Sequence, residues 1–370
     1  MINNKKVSVL ICLLLSILWL SACQPEETQT SPSEKEKTEK KEIVAEILTS
    51  DSFVENIGWL SDSEILTVQN EDGQTSFYIY NLYDGSNMKI YEIPSSYVSA
   101  SISPDKEKIL IHSAPVSYSA QVTIIDRGGE VLFQEEDVPS YELTHSWSKF
   151  DDNALLMTSF SEDWSFQVFR IDVEKGIMDP IDVEQPFVQW HSDSSVLFQD
   201  WNTDEISVSA PLLSQNVVDG GKEMIVDSSV HFNQFDDSLL SIFSREEEGP
   251  FTYQFITSSG EIQAEFTVDL LSRYSDWLIP YYDMIGGKGH LITFKANEPG
   301  SFDTYTGTFS LMKWDTVSGK EDVLFDDLPL EPIQCSPNGE YCLYGNQLEK
   351  VIVLTNSNII QLLKEEGADM

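Results

Sequence analysis

Basic residues are scarce in this chain. Of 370 residues, 22 are Lys or Arg and 62 are Asp or Glu, which gives a formal net charge of −40. Residues 1–45 hold six Lys and six acidic residues, so the excess falls on the rest, where 56 acidic residues face 16 basic ones. Such a domain repels polyanions, which excludes nucleic-acid binding. We interpret the charge as a solubility adaptation of an exported protein, with attraction of divalent cations or basic partners as the alternative.

Catalytic motifs and helical periodicity are also lacking. The chain has no G-x-S-x-G elbow, no Gly-rich phosphate loop and no H-E-x-x-H. After the first 42 residues, no stretch of ten or more has a helical apolar pattern. The histidines are scattered rather than set at ligand spacing, so we expect no metal site. These five histidines are His112, His145, His191, His231 and His290.

Cysteine is rare as well, and one of the four cysteines has a clear role. Lys5 and Lys6 precede an apolar run from Val7 to Leu20, as in a bacterial export signal. The sequence Leu-Ser-Ala-Cys at residues 20–23 has the lipobox pattern of bacterial lipoproteins. It predicts cleavage between Ala22 and Cys23, a diacylglyceryl group on the Cys23 thiol, and anchoring on the extracytoplasmic face of the cell membrane. The apolar run is shorter than the roughly 20 residues of a membrane span.

Two cysteines remain in the exported domain, because Cys12 leaves with the signal peptide. Cys335 and Cys342 are placed on what we expect to be adjacent antiparallel strands, both pointing between blades. An exported protein keeps disulfides, and two buried thiols also serve as small apolar side chains. The sequence leaves both alternatives open.

The segment after the signal contains no aromatic residue and almost nothing apolar, so it cannot offset the entropy lost on ordering. We therefore predict three parts: a signal peptide over residues 1–22, a disordered tether over 23–42, and a folded domain over 43–370. The tether lifts that domain off the membrane.

The folded domain repeats one pattern at intervals of roughly 42 to 53 residues. In each unit an apolar approach leads to a turn rich in Ser, Asp, Asn or Gly, then to a short apolar strand and a second hairpin. Ser101–Leu110 and Gln334–Leu343 are two examples. Four short strands per unit predict an all-β fold, a single β-propeller of four-stranded antiparallel blades. We count seven units, of which the one around Gly286 is weakest, and six blades is the alternative.

The turns at Pro104-Asp105 and Pro337-Asn338-Gly339 resemble the blade turn of TolB-type propellers. With its lipobox and tether, the chain resembles the YqgU-like lipoproteins of Gram-positive bacteria. That resemblance implies a six-bladed propeller with no established activity. Residues 42–49 are expected to form a strand that closes the ring against the last blade.

Recurring tryptophans precede three of the repeated turns. Because large aromatic side chains dominate core burial, we assign Trp59, Trp147 and Trp190 to packing between blades. Asp200, Asn202 and Asp204 alternate as in a calcium loop, but Glu205 stands where that loop needs glycine. We therefore interpret this segment as a hairpin turn, with calcium as the weaker alternative, and expect no cofactor.

Two segments exceed the needs of the repeat and are rich in aromatic residues next to acids. Because loops on rigid scaffolds carry function, we predict a recognition face there if both loops lie at one end of the propeller. The function we expect is a membrane-anchored binding or scaffold module for a protein or an envelope polymer. The alternative is an exported glycan hydrolase that uses paired carboxylates at the axis. The candidate face comprises Trp277, Tyr281, Tyr282, Phe302 and Tyr305.

Overall fold

The structure is a computed structural model and describes residues 42–44, 48–49, 52–94, 96–202, 204, 206–245, 249–285 and 287–364. The signal peptide, Ala22, Cys23 and most of the predicted tether lie outside these residues. From Ile43 onward the chain forms one compact unit. No helix among the described residues is long and apolar enough to cross a membrane.

The repeated turns separate strands that form seven four-stranded antiparallel sheets, each built from four consecutive strands. We call these sheets blades one to seven, in chain order. Blade one holds β2 (Phe53–Trp59), β3 (Glu64–Glu71), β4 (Gln74–Asn81) and β5 (Asn87–Ile93); blade two holds β6 (Ser96–Ile102), β7 (Lys108–Val116), β8 (Ser119–Asp126) and β9 (Val131–Pro139); blade three holds β10 (Glu142–Trp147), β11 (Ala154–Phe160), β12 (Phe166–Asp172) and β13 (Ile177–Ile181).

The remaining four blades repeat the order of strands. Blade four holds β14 (Gln189–Ser192), β15 (Ser195–Gln199), β16 (Ala210–Asn216) and β17 (Lys222–Ser229); blade five holds β18 (His231–Gln234), β19 (Ser238–Ser244), β20 (Phe251–Thr257) and β21 (Ile262–Val268). Blade six holds β22 (Tyr282–Ile285), β23 (His290–Ala296), β24 (Phe309–Asp315) and β25 (Glu321–Leu328), with a 3₁₀ turn at Phe302–Thr304; blade seven holds β26 (Ile333–Cys335), β27 (Tyr341–Tyr344), β28 (Lys350–Val353) and β29 (Asn358–Gln361).

The core lies between the blades. The second and third strands are covered on both faces, so they are apolar runs rather than alternating patterns; every residue of β11 is buried. The described residues form seven apolar clusters, and each joins two neighbouring blades. One of them, around Trp59, Tyr80 and Leu343, joins blade seven to blade one and so closes the ring. The prediction of a seven-bladed propeller is confirmed.

The ring closes without exchange of a strand between the first and last blades. The short strand β1 (Leu48–Thr49) pairs in parallel with β30 (Leu363–Lys364), outside both blades. Of the closing strand predicted over residues 42–49, the described part is a strand only at Leu48–Thr49, and its partner is the segment after the last blade rather than the blade itself. Direct bonds between the two blades complete the closure: Asn56 Nδ2 donates to Leu348 O at 2.8 Å and Trp59 Nε1 donates to Gln334 O at 2.9 Å.

The antiparallel order of strands sorts the loops between the two ends of the propeller. Turns after the first strand of each blade, such as residues 103–108, lie at one end, which we call the inner-turn end. Turns between the second and third strands and connections between blades lie at the other, which we call the connection end. Both loops of the predicted recognition face therefore lie at the connection end.

Candidate functional site

Two adjoining cavities follow the axis of the propeller. They measure about 560 and 420 Å³, and Ile102 and Lys106 line both of them. Their walls come from the first strands of all seven blades and from the turns that follow those strands. Volumes of about 300–1,000 Å³ are typical of small-molecule sites. The axial channel is therefore the candidate site.

Two lysines enter the channel from the inner-turn end. Lys106 belongs to the turn of blade two and Lys149 to the turn of blade three, and both line the larger cavity. In the described part of the chain neither ammonium group lies in an ion pair or donates a hydrogen bond. Burial lowers the pKa of Lys106, and the charge of Lys149 lowers it further, against the opposing effect of Asp283, Asp236 and Asp105.

One carboxylate, that of Asp283 on β22, lines the smaller cavity. Its Oδ2 accepts a hydrogen bond from the Cys335 N–H of blade seven at 2.6 Å, and its Oδ1 accepts one from the Met284 N–H at 2.8 Å. Burial raises the pKa of Asp283, although these two N–H groups and the charges of the two lysines act in the opposite direction. Among the described residues that line the two cavities, Asp283 is the only acidic one.

Neutral polar groups line much of the remaining channel. His231 Nε2 lies 2.7 Å from Tyr282 Oη. Burial lowers the pKa of His231 to about 4, and burial together with His112 lowers the pKa of His145 to about 4. Both imidazoles are therefore neutral at pH 7. Further hydrogen-bonding side chains in the larger cavity are Thr144, Thr158, Gln189, Gln199, Asn233 and Gln234.

The three repeated tryptophans pack between blades, as predicted. Trp59, Trp147 and Trp190 lie in the clusters between blades seven and one, two and three, and three and four. Trp147 Nε1 donates to Ser101 Oγ at 3.0 Å, whereas Trp190 Nε1 is buried without a hydrogen-bond partner in the described chain. Each of them also borders one of the cavities. The packing between blades thus holds these tryptophans in position as the apolar part of the channel wall.

The two long loops of the predicted recognition face contact each other at the connection end. Ser272 N donates to Gly300 O at 3.2 Å, and Phe302 N donates to Ser272 O at 2.8 Å. Phe302 is partly exposed, and Tyr281 is exposed over 48% of its surface. The loops are therefore adjacent, and recognition by them stays a prediction.

The other three residues of that face are placed differently. Trp277 is packed on Phe251, with ring centroids 4.9 Å apart, and Tyr305 Oη donates to Thr308 O at 2.9 Å. Tyr282 lies in β22 and contributes to the channel wall rather than to the loop surface. Tyr281 and Phe302 are thus the members of the set that a partner would reach directly.

A row of aromatic side chains at the connection end, exposed except for the buried Phe160 at the end of β11, was not predicted. Ring centroids along the row are 5.6 to 6.0 Å apart, through Tyr118, Tyr141, Trp164, Phe160 and Phe187. Phe187 is exposed and also lines the larger cavity. Because these residues lie in separate turns and connections, no sequence period joins them. The row brings aromatic surface up to the opening of the channel.

Cys335 and Cys342 are opposed across β26 and β27 and joined by a disulfide in the structure. Cys342 is fully buried, in the cluster between blades six and seven. The disulfide links the two strands of the β26–β27 hairpin. The Cys335 N–H of this hairpin donates to the Asp283 carboxylate.

The calcium alternative at Asp200, Asn202 and Asp204 stays a prediction. Asn202 Oδ1 accepts a hydrogen bond from Asp204 N at 3.0 Å, as in an Asx turn. Among the described residues, no group of three or more His, Cys, Asp or Glu side chains is arranged to hold a metal ion. The segment is a turn between β15 and β16.

Comparison with known proteins agrees with this architecture. Residues 81–345 match the model of the YqgU-like 6-bladed beta propeller domain. The chain belongs to this family. The family description counts six blades, whereas the described residues form seven four-stranded sheets. Most of blade one and the last two strands of blade seven lie outside the matched range.

Similar proteins occur in Bacillus subtilis and Listeria monocytogenes. The chain is 28% identical to an uncharacterized lipoprotein, YqgU, of Bacillus subtilis (strain 168), over 97% of this chain and 98% of the relative. Its fold resembles that of an uncharacterized protein of Listeria monocytogenes EGD-e, with a TM-score of 0.82, 24% identity, and coverage of 89% of this chain and all of that one. An oligogalacturonate lyase of Vibrio parahaemolyticus shares the fold at a TM-score of 0.57 and 12% identity, over 81% of this chain and 89% of the lyase.

The cationic residues of the channel were missed by reasoning from the sequence. Lys106 and Lys149 lie in two of the repeated turns, and Asp283 is more than 130 residues away from either lysine. One signal was available. Aligning the turns of blades two and seven puts Lys106 opposite Gly339, which marks a position where a lysine is unexpected.

Proposed function

We propose that this protein is a membrane-anchored binding protein of the extracytoplasmic face and that its ligand lies in the axial channel. The anchoring part rests on the lipobox at Cys23 and on the lipoprotein relative in Bacillus subtilis. The binding part is carried by one observation: the axis holds two cavities lined by residues of all seven blades, and many of these residues are polar.

The channel favours binding over glycan hydrolysis. Hydrolysis of a glycosidic bond generally requires two carboxyl groups that flank it, roughly 5 to 9 Å apart. In the described lining of the two cavities there is one carboxylate, Asp283, and two backbone N–H groups hold it. At 12% sequence identity, the similarity to the Vibrio lyase indicates a shared fold and not a shared activity.

A variant with a filled channel tests the proposal. Asn233 lines the larger cavity from β18, and its side chain makes no hydrogen bond in the described structure. Asn233→Trp should fill the space, and Asn233→Ala is the matched control. The full-length lipoprotein and both variants are purified in detergent from the same membranes, and the small molecules that each carries are released and identified by mass spectrometry.

We expect a compound that accompanies the wild type and Asn233→Ala but not Asn233→Trp. If all three proteins carry the same small molecules in the same amounts, ligand binding in the channel is wrong. A circular dichroism spectrum and the melting temperature of each variant show that the propeller is intact.

The exposed loop residues provide a separate route to a protein or polymer partner. Tyr281 and Phe302 lie on adjacent loops at the connection end. Pull-down from membranes with Tyr281→Ser/Phe302→Ser should lose a partner that the wild type retains, whereas Tyr274→Ser, an exposed neighbour, should retain it. If both variants retain the same partners as the wild type, these loop residues do not recognise a partner, and the channel is the remaining candidate site.

A further inference from the structure

Two blades make the same turn, but with different residues at its strained position. In blades two and seven a serine hydroxyl accepts the N–H five residues later, at 2.9 Å for Ser103 and 3.2 Å for Ser336. The fourth residue of each turn has a left-handed backbone, with φ of 66° at Lys106 and 63° at Gly339. Blade two therefore places a lysine where the same turn in blade seven uses glycine.

The lysine is unfavourable for the backbone of that turn. A side chain in the left-handed region places Cβ close to the carbonyl oxygen, a cost that glycine avoids. In blade seven the glycine is also required by its surroundings, because a Cβ at Gly339 would lie 2.6 Å from Ile285. At Lys106 the side chain instead enters the axial channel and lines both cavities. Backbone strain of this kind is concentrated at functional sites.

The position also costs electrostatic free energy when no ligand is bound. The charge of Lys149 and burial both disfavour the charged form of Lys106. Asp283 is near, but its two oxygens are held by the N–H groups of Cys335 and Met284, and no ion pair joins it to either lysine. By contrast, at least nine of the sixteen basic residues after residue 45 form ion pairs within the described part of the chain.

We infer that the channel binds a small organic anion, with its carboxylate or phosphate group between Lys106 and Lys149. An anion there would relieve the repulsion between the two ammonium groups and accept charge-assisted hydrogen bonds from both. This inference rests on the proposed binding function and specifies its ligand. The domain as a whole is strongly acidic and repels anions, so any anion that it binds is bound by a local site.

The rest of the larger cavity indicates the body of the ligand. Gln189 and Thr144 offer neutral hydrogen-bonding groups, while Trp190 and Phe232 offer aromatic surface. Amides and hydroxyls next to aromatic rings suit a compact hydroxylated molecule. The ligand class is therefore a sugar acid or a sugar phosphate, which share an anionic group on a polyol.

The experiment measures three probes by isothermal titration calorimetry with the full-length lipoprotein in detergent. Glucuronate and glucose 6-phosphate carry the two kinds of anionic group, and glucose is the neutral match for both. We expect at least one anion to bind about tenfold or more tightly than glucose, since hydrogen bonds to charged groups contribute this much. Which anion binds tells a carboxylate ligand from a phosphate ligand.

Variants then locate the anionic group. Lys106→Gly should fold at least as well as the wild type, because Gly339 supports the same turn, and should lose the preference for the anion. Lys106→Asn, which also tolerates a left-handed backbone, and Lys149→Gln should weaken that preference about tenfold or more. Lys288→Gln removes an equal charge from a turn at the same end of the propeller, outside both cavities, and should keep the preference.

Two outcomes would overturn the inference. Either the anions bind the wild type no better than glucose, or Lys106→Gly retains the wild-type preference. Either outcome is compatible with loss of ligand capture in Asn233→Trp. In that case the channel binds a neutral molecule, and the proposed function stands. If Asn233→Trp also changes nothing, the proposed function fails with it.

Discussion

Replacement of Asn56 by alanine should strongly destabilise the propeller because this side chain holds the closing contact of the ring. Asn56 is 2% exposed on β2 of blade one. Its Nδ2 donates to Leu348 O of blade seven at 2.8 Å, and its Oδ1 accepts the Thr67 hydroxyl at 2.8 Å. Its backbone N–H donates to Gln347 O at 3.0 Å. One residue of blade one thus contacts both β3 of its own blade and the turn between β27 and β28 of blade seven.

The size of the effect follows from the groups left unpaired. Asn56→Ala removes both side-chain hydrogen bonds and leaves the Leu348 carbonyl and the Thr67 hydroxyl buried without partners. Each buried polar group left unsatisfied costs about 1–3 kcal/mol, so for two such groups we expect a loss of about 2–6 kcal/mol in the free energy of unfolding. That is a large part of the about 5–15 kcal/mol that stabilises a typical domain.

Urea unfolding of the full-length protein, followed by tryptophan fluorescence, measures this loss. Asn70→Ala is the matched control: Asn70 lies on β3 of the same blade, is exposed, and accepts a hydrogen bond from Thr75 Oγ1 at 3.1 Å. The control should change stability by no more than about 0.5 kcal/mol. A loss below about 1 kcal/mol for Asn56→Ala, or one equal to that of the control, would refute the role of this contact in closure.

Three further predictions concern the anchor, the disulfide and pH. Cys23→Ala should release the protein from membranes while leaving its melting temperature unchanged, because residue 23 lies outside every blade; an unstable variant would refute this separation. Alkylation of the unfolded protein without reductant should leave Cys335 and Cys342 unmodified, as their sulfurs are bonded in the structure; two alkylated thiols would contradict the bond. Burial holds the pKa of His145 at about 4, below its unfolded value of about 6.5, so the unfolded chain binds more protons between these values. Stability should therefore fall as the pH decreases from about 6.5 to 4, and His145→Gln should reduce that slope in melting curves; an unchanged slope would show that this histidine is not the cause.

The blades were predictable because their signals are local. Each hairpin is encoded by turn residues next to short runs of β-branched and aromatic residues, and both are visible within about ten positions. The weakest unit, around Gly286, still forms β22 and β23. Its turn is hard to recognise because it is built from glycines with positive φ, Gly287 and Gly289, rather than from the Ser-Pro-Asp pattern.

The channel was less predictable because it depends on the closure of the ring. Tyr282 looked like part of a surface loop, since it follows Tyr281 directly, yet it is the first residue of β22 and lies against His231 of blade five. One position decides whether a side chain belongs to the connection or to the first strand of a blade. Sequence patterns place such boundaries only to within a few residues.

The distribution of charge in this domain has a consequence for how an anion would reach the channel. The acidic surface raises the free energy of an approaching anion over distances up to the Debye length, about 10 Å at 0.1 M salt. Inside, Lys106 and Lys149 attract the same anion at short range, where salt screens less. Added salt should therefore speed association while it weakens binding in the channel only slightly. Such a site admits an anion slowly and retains it, which suits a binding protein that holds its ligand more than an enzyme that must turn it over.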